Sequence, residues 1–263
     1  MKITKNTHVL LLKGGFGLER NVSLRSAKAC FEAIRENGLK VTEVDIGLNG
    51  INELTSLKVD VCFNALHGKF GEDGTVQGLL NLLKIPYTHS GVTASAIAMN
   101  KIHFKRLITN ATEHSEDPII FPQTLKIVKG ESLYINNYDG PYVVKPINGG
   151  SSVDVTLIRN NNTKSFIKNE NSDELMAEVL VGNRELTVTV LKEKPLSVTE
   201  ITTDEKQDFY NYKAKYDKNS SSHKIPALIP NTIFDRAMSW ASRAHRIIGC
   251  RGISRTDFRY DSH

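Results

Sequence analysis

Cysteine is scarce in this chain: Cys30, Cys62 and Cys250 are the three in 263 residues. Their number is odd, and no CxxC or Cys/His metal spacing joins them, which excludes a disulfide framework or a zinc module as a first reading. Cys30 falls in an apolar helical pattern and Cys62 in a strand pattern. Both read as buried small hydrophobes, a usage that suits the cytosol. Long hydrophobic runs are missing too. Val9-Leu10-Leu11-Leu12 spans four residues, too short for a signal-peptide core or a membrane span. No run of five or six basic residues occurs, although the net charge is +5 and the pI about 9.0. A mild, dispersed excess fits a phosphate-bearing small ligand better than a nucleic-acid stripe. Internal repeats and low-complexity tracts are absent.

What remains is an ordinary globular composition, with 40% hydrophobic and 24% charged residues. The length suits one large domain or two to three small ones. The first part alternates strands and helices. Residues 8–12, 41–46 and 59–66 read as strands. Leu24, Ala27, Phe31 and Ile34 mark a helix capped by Asn21 or Ser23 and stopped by Gly38, and Val76, Leu79, Leu80 and Leu83 mark another. This alternation predicts a parallel sheet with helices on its faces, and ligands gather where such strands end. The Gly14-Gly15 and His67–Gly74 segments occupy those ends. From about residue 94 one helix carries Ile97, Ala98, Lys101, Phe104 and Leu107, and 109–118 reads as a polar linker. Strand-like runs follow at 122–128, 142–145, 153–158, 175–181, 185–191 and 195–201, suited to antiparallel pairing. Phe234, Met238, Ala241, His245 and Ile248 mark a helix ending at Gly249, and 252–260 is a last strand.

Four segments carry chemistry. Lys145 through Val153 is glycine- and serine-rich after a strand; it reads as a phosphate-binding loop or as a plain hairpin turn. No GKS or GKT closes it, so it is not a P-loop. Glu19 reads as a first-turn carboxylate favoured by the helix dipole or as a binder of a substrate ammonium. Arg255 and Asp257 share one face of the last strand, either as a simple ion pair or as an oxyanion-stabilising arginine beside a metal-ligating carboxylate. Residues 204–225 lack helical or strand patterning yet hold Phe209, Tyr210, Tyr212, Lys213, Lys215 and Tyr216. That richness in aromatics argues against disorder and for a lid over an anionic ligand.

Seven ordered segments resemble one family across essentially the whole chain: residues 14–24, 65–80, 85–101, 143–153, 182–188, 209–216 and 249–257. Together they are similar to the D-alanine–D-alanine ligases of the ATP-grasp superfamily. The resemblance implies an α/β fold with a Rossmann-like N-terminal domain (1–98), a central ATP-grasp subdomain (99–181) and a C-terminal ATP-grasp domain (182–263). It implies ATP-dependent joining of two D-alanines through an acylphosphate, for peptidoglycan precursors. The implied ligands are D-alanine, ATP and magnesium, with manganese as a substitute. The implied state is a cytoplasmic homodimer with no nucleic-acid or membrane partner.

Site roles follow from the same resemblance. Glu19 would hold the first D-alanine's ammonium, with His67 in the same subsite. Lys101 and Lys145 would meet the ATP phosphates, with Ser151 and Ser152 in the phosphate loop. Glu178, Val179, Leu180 and Val181 would read adenine through the backbone, and Glu185 would bind ribose. Lys215 would reach the transferred phosphate. Tyr216 would complete a Glu19–Ser151–Tyr216 set that places the lid. Arg255 would stabilise the tetrahedral oxyanion, and Asp257 would be the first magnesium ligand.

Two departures from the family pattern stand out. Asp154 takes the place of a common glycine beside the phosphate loop, where a carboxylate would repel ATP unless it points away. The family usually continues past Asp257 with a Glu-x-Asn strand end, a Pro-Gly turn and a helix, which supply two more metal ligands; no such segment follows here. The C-terminal domain is therefore expected to be incomplete. The alternatives are a D-alanine–D-lactate ligase, another ATP-grasp carboxylate–amine ligase, or an inactive ATP-binding remnant.

Overall fold

Strand β1 (His8–Lys13) buries its four central residues completely or nearly so. Leu10 and Leu12 enter one core with Val44, Leu54, Cys62 and Leu80. Leu11 enters another with Ala27 and Ala65. Alternate side chains of a strand face opposite sides, so a strand apolar on both faces must lie between two layers. Accordingly β1 is central in a parallel sheet of order β2-β1-β3, with β2 (Lys40–Asp45) and β3 (Val61–Asn64) flanking it in register from His8↔Lys40 and Val9↔Val61. A parallel bridge from Cys62 to Tyr87 extends this sheet by one position.

The computed structural model describes residues 3–47, 50–129, 133, 135, 138–150, 154–159, 174–203 and 221–262. They form two compact units. The first holds residues 1–99 with 248–253, the second 100–247 with 254–263.

In the first unit, α1 (Arg20–Glu36) ends in paired turns that leave few carbonyls unmet: Gly38 N–H bonds to the Arg35 carbonyl and Leu39 N–H to that of Ile34. Gly38 has φ +73, the left-handed conformation that this ending requires. The cap differs from expectation. Residue 19, not Asn21 or Ser23, precedes the helix, and Glu19 makes no side-chain capping bond. Ser23 lies inside α1 because its hydroxyl is committed elsewhere, accepting from Gly14 N–H at 2.8 Å and donating to the Ala65 carbonyl at 2.7 Å. A short helix, α2 (Gly50–Ser56), was not evident in the sequence; α3 (Thr75–Leu82) was.

The helix expected from about residue 94 is two helices, α4 (Val92–Met99) and α5 (Lys101–Thr112). Asn100 separates them with extended backbone, and its Oδ1 accepts the His103 N–H at 2.9 Å to cap α5. The apolar period runs across this break, so only the capping chemistry marks it. Because α5 continues to Thr112, the linker is shorter than 109–118.

The second unit contains two antiparallel sheets, each with its own core. One has order β4-β7-β5-β6, built from β4 (Thr124–Lys129), β5 (Tyr142–Pro146), β6 (Thr156–Ile158) and β7 (Glu174–Val179). Tyr142, Val144, Leu175 and Ala177 lie in its core. The other has order β10-β9-β8-β11, from β8 (Arg184–Leu191), β9 (Lys194–Thr203), β10 (Ser221–Lys224) and β11 (Ile253–Tyr260). Helix α6 (Asn231–Ile247) packs Ala237 and Ala241 against Leu186, Val188 and Val198. Strand β10 corrects the expected lid: residues 221–224 are paired with β9, His223 opposite Ile201, rather than unpatterned to 225.

Asp117 joins the segment after α5 to α6. Its carboxylate accepts from Arg236 Nε at 2.7 Å and Trp240 Nε1 at 2.6 Å, while Arg243 donates to its carbonyl. Burial pushes all three cysteine thiols above their ordinary range, and Cys62 is fully buried. Among the described residues no helix is long and apolar enough to cross a membrane.

Candidate active site

In the first unit the ends of β1 and β3 converge on Glu19. Gly14 and Gly15 both have positive φ, at +78 and +90. A Cβ on Gly14 would stand 2.1 Å from Asp45 Oδ1, so no other residue passes there without displacing that carboxylate. Asp45 is gripped by Arg20 through Nη1 at 2.7 Å and Nη2 at 2.6 Å, and Arg20 Nη1 also donates to the Gly15 carbonyl. The guanidinium beside it holds the Asp45 carboxyl below the usual carboxylate range. This fork fixes the turn that delivers Glu19.

Glu19 is 8% exposed. Its carboxylate lies against Gly68, where an added Cβ would be 1.8 Å from Oε2. Next in the chain, His67 Nε2 lies 3.0 Å from Ser26 Oγ on α1. The structure thus brings the Glu19 and His67 segments together. Gly68 N–H donates to Glu72 at 2.6 Å, and Asn64 and Gln77 both donate to the Gly71 carbonyl, which shapes the 67–74 loop.

In the second unit a lysine cluster surrounds the end of β5. Lys101, at the start of α5, donates to the carbonyls of Pro146 and Gly149 at 2.9 Å each. It therefore pins the glycine loop from below. Lys145, on β5, is ion-paired with Glu178 on β7. Lys105, one turn beyond Lys101, is paired with the other Glu178 oxygen. Sequence reasoning passed over Lys105. The available signal was its i+4 spacing from Lys101, which puts both lysines on one helix face.

The segment expected to read adenine has part of its backbone bonded within the protein. Val179 N–H donates to the Gln123 carbonyl and Leu180 N–H to that of Pro141, each at 3.0 Å. The Val181 carbonyl accepts from Arg259 Nε at 3.3 Å, and Glu185 accepts from Arg259 Nη1 at 3.4 Å. On β11, Arg255 Nε stands 2.9 Å from Asp257 Oδ1, and Thr187 Oγ1 donates to the same oxygen at 2.8 Å. The ion-pair reading therefore describes this pair as it stands. Ser151, Ser152, Lys215 and Tyr216 lie outside the described residues.

Asp154 has φ +55 and is exposed. That conformation explains why a glycine suits the position, and aspartate is among the few other residues that adopt it readily. Beside α5 and β4 lies a cavity of about 730 Å³, lined among others by His103, Arg106, Glu113 and Thr124. It contains none of the residues expected to hold ATP, although Lys105 borders it. Among the described residues no group of three or more His, Cys, Asp or Glu side chains gathers to hold a metal by itself.

Comparison with known proteins gives a consistent result. The family described as "D-ala D-ala ligase C-terminus" matches residues 124–263, and "D-ala D-ala ligase N-terminus" matches residues 49–90. The chain is 42% identical over 259 residues to the D-alanine–D-alanine ligase of Parvibaculum lavamentivorans, covering 97% of this chain and 82% of that one. Among solved structures, the D-alanine–D-alanine ligase of Bacillus anthracis superposes with TM-score 0.75 at 25% identity, over 97% of this chain and 83% of that one. A D-Ala:D-Ser ligase from Enterococcus faecalis superposes with TM-score 0.75 at 25% identity, over 98% and 87%.

Proposed function

Because the chain belongs to the D-alanine–D-alanine ligase family, we propose the following roles for its residues in that reaction. The protein is an ATP-dependent ligase that joins two D-alanines for peptidoglycan synthesis, in the ATP-grasp fold. The observation that carries this is 42% identity sustained over 97% of the chain.

The first D-alanine binds with its ammonium at Glu19, near His67. Its carboxylate attacks the γ-phosphorus of ATP, giving an acylphosphate and ADP. The second amine then attacks the acylphosphate carbonyl, and phosphate leaves as the dipeptide forms. Phosphoryl transfer asks for positioning and charge neutralisation rather than covalent protein chemistry. Lys101 holds the glycine loop, Lys145 and Lys215 meet the phosphates, and Ser151 and Ser152 add donors. Glu178, Val179 and Val181 border adenine, with Glu185 at the ribose. Arg255 stabilises the oxyanion of the second step, leaving Asp257 as it does so. A lid ending before Ser221 and carrying Tyr216 excludes water that would hydrolyse the acylphosphate.

Magnesium fits as a partner. It draws on one or two carboxylates together with substrate phosphates, and Asp257 supplies one carboxylate, now held by Arg255 and Thr187. When bound, the ion offsets triphosphate charge. We further assign the three-part division at 98/99 and 181/182, a homodimer and a cytoplasmic location on the strength of family membership.

The second substrate is D-alanine rather than D-lactate, because Tyr216 is neutral near pH 7 (reference pKa about 10) and does not repel an ammonium. The similarity in fold to a D-Ala:D-Ser ligase makes D-serine the competitor to include. Incubation with ATP, magnesium and equal D-alanine, D-serine and D-lactate, with phosphate and products measured, tests this. D-alanyl-D-alanine should dominate near neutral pH; a dominant depsipeptide or D-Ala–D-Ser product refutes the assignment.

A further inference from the structure

Glu178 is 3% exposed and each of its oxygens has its own lysine, Lys105 on Oε1 and Lys145 on Oε2. The two lysines differ in how fully they are committed. Lys105 Nζ donates to Glu178, to the Pro122 carbonyl at 2.7 Å and to Thr124 Oγ1 at 2.8 Å. An ammonium has three hydrogens, so Lys105 is saturated by the protein and has none left for a ligand. Among the described residues Lys145 has Glu178 as its partner, and it stands at the end of β5 just before the glycine loop.

A buried carboxylate that loses its only counter-charge is costly. If Lys145 alone neutralised Glu178, turning to a triphosphate would strand that charge. We infer that Lys105 is a positioning residue for ATP: by holding Glu178 permanently neutralised, it frees Lys145 to move from the carboxylate to the phosphates. This rests on the reading of Lys145 as a phosphate contact.

Four variants test it, with ATP KM, D-alanine KM and kcat measured for each and melting followed by circular dichroism. Lys145→Met tests the underlying reading and should raise ATP KM at least tenfold; no change removes both that reading and the inference. Lys105→Met should raise ATP KM about tenfold or more while D-alanine KM, at saturating ATP, stays within twofold. Glu178→Gln removes the charge that needs a partner, so adding Lys105→Met to it should leave ATP KM within threefold of the Glu178→Gln single variant, whatever Glu178 itself contributes beside adenine. If Lys145→Met raises ATP KM but a folded Lys105→Met does not, the inference alone fails. Should Lys105→Met not fold, the neutral double variant decides: an ATP KM within threefold of Glu178→Gln alone supports the role, and one raised tenfold above Glu178→Gln overturns it. A merely structural lysine would lower the melting temperature and depress kcat whether or not Glu178 is charged.

Discussion

The Glu19 carboxylate occupies the space that a side chain on Gly68 would need, with Oε2 1.8 Å from the position of an added Cβ. Gly68 also has φ +67, which strains any residue with a Cβ. Gly68→Ala should therefore push Glu19 aside and raise the KM for the first D-alanine about tenfold, the effect of losing roughly 1.4 kcal/mol of binding. ATP affinity should not change. Initial rates with D-alanine varied at saturating ATP check this, and an unaltered D-alanine KM would remove Glu19 from the ammonium site.

Asp154 holds a left-handed backbone conformation in a place where the carboxylate is exposed. Asp154→Gly should leave stability equal or higher. Asp154→Val, β-branched at positive φ, should cost about 1–2 kcal/mol. Because the position follows the proposed phosphate loop in sequence, Asp154→Asn should strengthen ATP binding at low ionic strength, and the gain should fade near 1 M salt, where screening acts within about 3 Å. Urea titrations and ATP binding at two salt concentrations separate the backbone and charge effects.

His89 is pushed down to about 4, first by burial and then by the positive charge of Arg251. Its unfolded value is about 6.5. Between those values the unfolded chain binds the proton and the folded one does not, so stability rises with pH across that window. Lowering pH from about 6.5 to about 4 should weaken the protein progressively, with this contribution flat outside the window. His89→Asn should reduce the slope in urea melts taken every half pH unit; an unchanged slope would assign the loss to other groups.

Arg255 and Asp257 form a half-exposed ion pair, with side chains 59% and 45% accessible. Such pairs contribute about 0–1 kcal/mol to folding. Arg255→Met should barely move the melting temperature yet cut kcat about 100- to 1,000-fold, the usual cost of one lost oxyanion donor. Equal losses in stability and rate would mark the arginine as structural.

Much of this was legible in the chain, for identifiable reasons. The parallel sheet showed itself because strands and helices alternate through the first part of the chain, and the antiparallel strands because successive strand-like runs beyond it follow one another with alternating patterning. The pairing of Asn100 with α5 was hidden, since apolar spacing continues through it. Strand β10 is the polar run Ser221–Lys224, which carries no hydrophobic signal and forms only because β9 offers an edge. The Glu19 and His67 segments were placed by resemblance. The contact of Lys105 with Glu178 was not, because it joins positions 73 residues apart and no local pattern encodes it.

Ser23 closes two obligations with one atom: it receives the Gly14 amide and supplies the Ala65 carbonyl, with no exposed surface at all. A hydroxyl both gives and takes a hydrogen bond in a small volume, and threonine would add a methyl to a side chain that is already fully buried. The position is therefore nearly closed to drift. In a library that randomises the surroundings of Glu19 to admit a bulkier amino acid, functional clones should vary at many sites and return serine here. The substrate loop can be rebuilt around this hydroxyl, not through it.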